Sequence, residues 1–102
     1  MQDLFDSALW KAADLRIPST AFAERAGSFV NADDRLQSFD WAIRPPAGAV
    51  TEGHLLSKLL GHQGLYQADR ILKQLATEIS CFEEAAGEIP PHGVQLQVKQ
   101  MA

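Results

Sequence analysis

One cysteine, Cys81, is all the chain has in 102 residues. That excludes an intrachain disulfide framework and a thiolate metal cluster built from this chain alone, and it suits a reducing, cytoplasmic compartment. Basic residues are also scarce. Nine Lys and Arg stand against thirteen Asp and Glu, for a formal net charge of -4, and each basic residue stands singly. A nucleic-acid grip through phosphates needs clustered positive charge, so no nucleic-acid partner is expected. No apolar run approaches the ~20 residues of a membrane span, so direct membrane insertion is not expected. The start, Met1-Gln2-Asp3, lacks the basic and apolar regions of a secretory signal. Internal repeats and low-complexity tracts are absent as well. What is present is a globular composition, 46% hydrophobic and 22% charged, at the size of a single domain. The expectation is one domain over 1–102, with a helix, strand and hairpin region at 1–48 and a helical region with an extended tail at 49–102.

Apolar spacing predicts a helix over Asp3 to Ala13, capped by Asp3, with Trp10 at the edge of its stripe. Asp14 to Pro18 reads as a short strand ended by proline, and Arg16 between Leu15 and Ile17 implies one wet face. Ser19 is placed to cap a short turn through Phe22. Two strands, Gly27 to Asn31 and Arg35 to Ile43, flank the turn formers Ala32-Asp33-Asp34, with Asn31 tolerant of left-handed backbone. In the second strand Phe39, Trp41 and Ile43 alternate with small or polar residues, which predicts that this aromatic side is buried. If so, Trp41→Ala costs about 3–5 kcal/mol.

Pro45-Pro46-Ala47-Gly48 is a connector. Thr51 then caps a helix over Glu52 to Leu60 that carries a leucine stripe and ends at Gly61. A further helix is predicted over Tyr66 to Ile79. Ser80-Cys81-Phe82-Glu83 has the spacing of a capping box, which restarts a short helix up to Gly87. Val94 to Val98 alternates cleanly, as a strand or an extended tail with one apolar edge.

The chemistry-bearing residues are sparse. His54 and His62 lie eight apart, and His92 sits in a distant loop. No H-x-x-x-H spacing or Cys/His pair occurs. Structural histidine is the favoured reading over a site assembled from His54, His62 and Cys81. Cys81 near a helix start has no base evident in the sequence. Asp33, Asp34 and Asp40 cluster near the hairpin, where turn formation explains them better than acid–base work. The glycines at 48, 53, 61 and 64 fit neither phosphate-loop nor dinucleotide spacing, and there is no Walker lysine.

One segment is more specific. Leu15-Arg16-Ile17-Pro18 leads to Ala23-Glu24-Arg25-Ala26-Gly27-Ser28-Phe29-Val30-Asn31, then to Asp33-Asp34 and Arg35-Leu36-Gln37. This resembles the molybdopterin oxidoreductase family. There a strand ending in Leu-Pro precedes Ala-Glu-x-x-Gly-Thr-Phe-x-Asn, an acidic turn and Arg-x-Gln. Arg44-Pro45-Pro46-Ala47-Gly48 and the leucine-rich helix ending in Gly61 continue the likeness. The pattern is most similar to the large G subunit of NADH:quinone oxidoreductases. Ser28 replaces the family's usual Thr, Asp33 its usual Glu, and Asp34 its usual Gly or Arg.

The resemblance implies an α+β piece of an α/β molybdopterin oxidoreductase domain, with a β-hairpin, short strands and about four helices. In the family, the iron–sulfur cysteines and most of the pterin-cradling domains lie upstream, and the sequence shows neither. The expectation is therefore a non-catalytic structural domain that supports an electron-transfer assembly, carrying no cofactor of its own. Its catalytic and metal residues are expected to be none. Glu24, Gly27, Asn31, Arg35 and Gln37 are the family-motif positions of a segment that in the family lies in the region enclosing the pterin; no cofactor-binding residue is expected among them, and Glu24 is placed to pair with Arg35 across the hairpin. Its partners would be other oxidoreductase subunits or domains, or a second copy, and it could lie at the periphery of a membrane complex. The rival readings are a fragment that completes a molybdopterin pocket in trans, and a homo-oligomer that kept the fold without redox function.

Overall fold

A computed structural model of the chain describes residues 1–98; the end of the expected extended tail, 99–102, lies outside the described residues. The elements follow in the order β1 (Gln2–Asp3), α1 (Ala8–Ala12), β2 (Ile17–Pro18), β3 (Gly27–Val30), β4 (Arg35–Phe39), α2 (Glu52–Leu59), α3 (Ala68–Glu78) and β5 (Val94–Gln95). Short 3-10 turns lie at Phe22–Glu24 and Ser80–Ala85. The chain is thus a small α+β structure with short strands and a few helices. Two units emerge, each assembled from separate stretches: Met1–Arg25 with Trp41–Tyr66, and Ala26–Asp40 with the chain from Gln67 on.

The first unit is built on a parallel pair, with Gln2 opposite Ile17 and Asp3 opposite Pro18. Ile17 N–H donates to the Met1 carbonyl and Ser19 N–H to that of Asp3, each at 2.9 Å. Pro18 fits between them because a parallel ladder takes donors from alternate residues, and its missing N–H faces away from β1. The expected helix from Asp3 therefore does not form. Asp3 belongs to the ladder, and the helix starts at Ala8 with Ser7 as its cap, the hydroxyl accepting from Trp10 N–H at 3.0 Å. Its expected stripe is not the covered side, since Trp10 is half-buried while Leu9 is exposed.

α2 forms as the sequence predicts. Thr51 caps it by accepting from His54 N–H, Glu52 occupies the first turn, and Gly61 follows in the left-handed region at φ 78. Gly53 has a packing reason: a Cβ there would lie 2.3 Å from the Tyr66 hydroxyl, and that ring lies against the helix and stacks on His54. The leucine stripe is covered only at half-buried Leu55; Leu56 is exposed, and Leu59 and Leu60 are about three-quarters exposed (74% and 75%).

This unit has no apolar core among the described residues. Its buried residues are Ser19 and Thr20, both polar. Its exposed large apolar side chains are Met1, Leu4, Phe5, Leu9, Leu15, Phe22, Trp41, Ile43, Leu56, Leu59, Leu60 and Leu65.

The second unit holds the core. β3, β4 and β5 form an antiparallel sheet in that order, with Phe29 opposite Gln37, Val30 opposite Leu36, and Leu36 opposite Val94. Leu36, Ala76, Ala85 and Leu96 are buried together, and Leu72, Phe82, Ile89 and Val94 pack around them. Alternation correctly identifies β4 as a strand but points to the wrong face. Leu36 is the buried residue of β4, while Gln37 and Ser38 are exposed and Arg35 and Phe39 half-buried, and β4 stops at Phe39. Trp41 and Ile43 lie beyond it and are exposed (53% and 56%). Phe39 instead lies over Gly27 and stacks on Phe29 at a centroid distance of 5.0 Å. A Cβ at Gly27 would lie 2.9 Å from the Phe39 ring, so the glycine leaves room for that ring.

Three smaller expectations also change. The left-handed residue of the hairpin turn is Asp34 (φ 59), not Asn31. Ile79 is the N-cap of the turn at Ser80–Ala85, so Ser80 lies inside the turn and is not its N-cap. Of the expected strand at 94–98, only Val94 and Gln95 pair.

Candidate functional site

The five motif residues divide between the units. Glu24 lies in the first, where its Oε2 accepts from Ala21 N–H at 2.9 Å and closes the 3-10 turn on itself. Gly27, Asn31, Arg35 and Gln37 lie in the second, on the hairpin. The predicted pairing of Glu24 with Arg35 is not made. Arg35 Nη1 donates to the carbonyls of His92 (3.1 Å) and Gly93 (3.4 Å), tying β4 to the loop before β5. Asn31 caps the turn: its Oδ1 accepts from Asp33 N–H at 2.9 Å and Arg35 N–H at 3.0 Å. This local competition for backbone donors is what Asn does well in turns. Gln37 stands exposed opposite Phe29.

Asp33 and Asp34 act through their backbone carbonyls. Asp33 accepts from Gln95 Nε2 at 2.6 Å, and Asp34 accepts from Leu96 N–H at 2.9 Å, which anchors the chain after β5 on the hairpin turn. The histidines stay apart in role: His54 stacks on Tyr66, and His92 lends its carbonyl to Arg35. Cys81 is buried beside the core. Among the described residues, no group of three or more His, Cys, Asp or Glu side chains is arranged to hold a metal ion.

Two features of the first unit escaped sequence reasoning. Glu52 accepts from the Ser19 hydroxyl at 2.5 Å and from Arg25 Nη1. Its carboxyl is held below the ordinary value of 4.5, first by the Ser19 hydrogen bond, with burial pulling the other way and Arg25 adding to the lowering. The helix N-terminus also favours this charge. Ser19 thus serves Glu52 and does not cap the turn at Phe22. Beside it, Thr20 Oγ1 is buried without a hydrogen-bond partner among the described residues. The signal for this network was an acid directly after an N-cap Thr, but its partners lie 33 and 27 residues away.

The second feature is an open cleft of about 360 Å³ lined by Glu24, Trp41, Arg44 and Pro45. Its wall is set by Ala42 and Ile43, whose N–H groups both donate to the Ala23 carbonyl at 2.7 and 3.1 Å. One carboxylate, one guanidinium and an indole can hold a polar or aromatic group of another molecule. Glu24 is the one carboxylate among these four lining residues.

Short strands and a few helices make this a small α+β structure. The molybdopterin oxidoreductase family model matches residues 2–61, more than half of the sequence. The chain belongs to that family. It is 30% identical over 92 residues to the F420-dependent formate dehydrogenase 2 subunit alpha of Methanococcus maripaludis, covering 90% of this chain and 13% of the relative. It is 34% identical over 59 residues to the F420-dependent formate dehydrogenase subunit alpha of Methanocaldococcus jannaschii, covering 58% of this chain and 9% of the relative. With formate dehydrogenase H of Escherichia coli, 64 residues are 33% identical, 63% of this chain and 9% of the relative. The chain therefore spans roughly a tenth of the length of these curated relatives. All three carry the name formate dehydrogenase, so the finer similarity to the G subunit of NADH:quinone oxidoreductases is not the one these relatives support. No solved structure matches. No helix among the described residues is long and apolar enough to cross a membrane.

Proposed function

We propose that the chain is a non-catalytic structural part of a molybdopterin oxidoreductase assembly. Its host is of the formate dehydrogenase alpha type, replacing the NADH:quinone oxidoreductase expected from the motif alone. It works in the cytoplasm against other oxidoreductase subunits or domains, and contributes shape, not a redox centre. The observation that carries this reading is the first unit: twelve large apolar side chains exposed, and none buried. Exposed apolar surface on that scale marks an interaction face.

The reading of the chain as part of a pterin pocket would need free donors aimed into a cleft. Asn31 Oδ1 accepts from two backbone N–H groups and Arg35 Nη1 donates to two carbonyls, all within the second unit. That internal use of both side chains counts against the pterin-pocket reading, and no chemical step is derived through that group.

The test is to purify the chain alone and together with the Methanococcus maripaludis alpha subunit from which the homologous 92 residues have been deleted. The expected result is a colourless chain without stoichiometric molybdenum, iron or pterin and without dye reduction, which joins the truncated subunit. A coloured chain that reduces a redox dye unaided would refute the proposal.

A further inference from the structure

The cleft at Glu24, Trp41, Arg44 and Pro45 plays no part in the reading above, and all four residues belong to the first unit. Its volume of about 360 Å³ lies at the lower end of the roughly 300–1,000 Å³ usual for small-molecule sites. The backbone holds its two walls together. Ala42 and Ile43 N–H both donate to the Ala23 carbonyl, so the segment at 41–45 is tied to the turn at Phe22–Glu24 without using a side chain.

Two opposite charges line this space without neutralising each other. Among the described residues the Arg44 guanidinium makes no ion pair or hydrogen bond, with Glu24 or with any other group. Glu24 is half-buried, and its Oε2 accepts from Ala21 N–H at 2.9 Å. A carboxylate accepts at two oxygens, so that bond orients the group and does not exhaust it. The rest of the lining is apolar and stiff: the Pro45 ring and the Trp41 indole, which is 53% exposed. An indole is a surface on which another aromatic ring packs.

We propose that this cleft binds a free aromatic α-amino acid. Its carboxylate pairs with the Arg44 guanidinium, its ammonium with the Glu24 carboxylate, and its ring lies against Trp41 and Pro45. Charge decides the class. An aromatic acid without an amine meets repulsion from Glu24, and an aromatic amine without an acid meets repulsion from Arg44. An α-amino acid carries both charges on one carbon and answers both residues. The planar guanidinium pairs with a carboxylate through two parallel N–H donors, which fixes how the head group enters. This adds a binding site to the structural role and does not depend on it.

The test is an NMR titration of the full chain with L-phenylalanine that follows the indole N–H signals of Trp41 and of Trp10, which does not line the cleft. N-acetyl-L-phenylalanine lacks the ammonium and L-phenylalaninamide lacks the carboxylate. The expected result is a saturable shift of the Trp41 signal with L-phenylalanine, an unmoved Trp10 signal, and binding weaker by about tenfold or more for each derivative. Arg44→Gln should weaken L-phenylalanine binding by about tenfold, and Arg44→Lys should recover part of the loss. Because the guanidinium has no partner within the described residues, neither substitution should change Tm. A lower Tm for both would show Arg44 engaged within the chain and overturn the proposal. No saturable shift would overturn it and leave the structural role standing. Equal binding of N-acetyl-L-phenylalanine would assign the cleft to the carboxyl end of a peptide and overturn it. Binding unchanged by Arg44→Gln would place the amino acid elsewhere and overturn it as well.

Discussion

Leu36→Ala is expected to destabilise the protein by about 2–5 kcal/mol, the range for truncating a buried leucine. Leu36 is 1% exposed and is the only large side chain among the described residues that is fully buried. Its neighbours Ala76 and Ala85 are too small to fill the space it would leave, and Leu96 is held by the bond from its own N–H to Asp34. The site therefore collapses poorly, and the upper half of the range applies. For a protein of this size the whole stability is about 5–15 kcal/mol, so the variant sits near the edge of folding. At about 4–8 °C per kcal/mol, a loss near 4 kcal/mol lowers Tm by roughly 16–32 °C. Trp41→Ala is the paired control. Trp41 is 53% exposed, so its truncation forfeits about half of the usual cost for a tryptophan, roughly 1.5–2.5 kcal/mol at most. Thermal melts followed by circular dichroism measure both. A smaller shift for Leu36→Ala than for Trp41→Ala would refute the placement of Leu36 in the core.

The Glu52 carboxyl, lowered in the folded state by Ser19 and Arg25, contributes stability that is complete above its unfolded value and is lost as pH falls through the lower folded value. Ser19→Ala should therefore flatten the dependence of Tm on pH below 4.5, and an unchanged acid limb would count against the network. Gly93→Ala should lower the urea midpoint: φ is +79, worth about 1–2 kcal/mol for a side chain, and its Cβ would lie 2.4 Å from the Leu36 carbonyl oxygen. A midpoint equal to wild type would show that the loop does not approach β4 so closely. Gly53→Ala should displace Tyr66 from α2. NMR should then show the His54 ring losing its aromatic shift, and its persistence would place the tyrosine elsewhere.

The sequence by itself determined the elements whose cause is local. Thr51 before an amphipathic run makes α2, with Gly61 to end it. Turn formers between two β-prone runs make the hairpin, and Asn31 supplies the turn oxygen as its residue type implies. The family was legible in the same way, because the run from Ala23 to Gln37 is continuous along the chain.

Only the tertiary structure decided which faces are covered. Period-two spacing marks a strand but not its inner side. Leu36 was buried over Phe39 by contacts with Ala76, Ala85 and Leu96, which lie 40 or more residues away. Asp3 went to a ladder and not a helix cap because Ile17 and Ser19 offered it partners. The same holds for Glu52, joined by Ser19 and Arg25 from outside its helix. Each outcome is a competition between a nearby bond and a distant one, and a distant bond leaves no spacing to read.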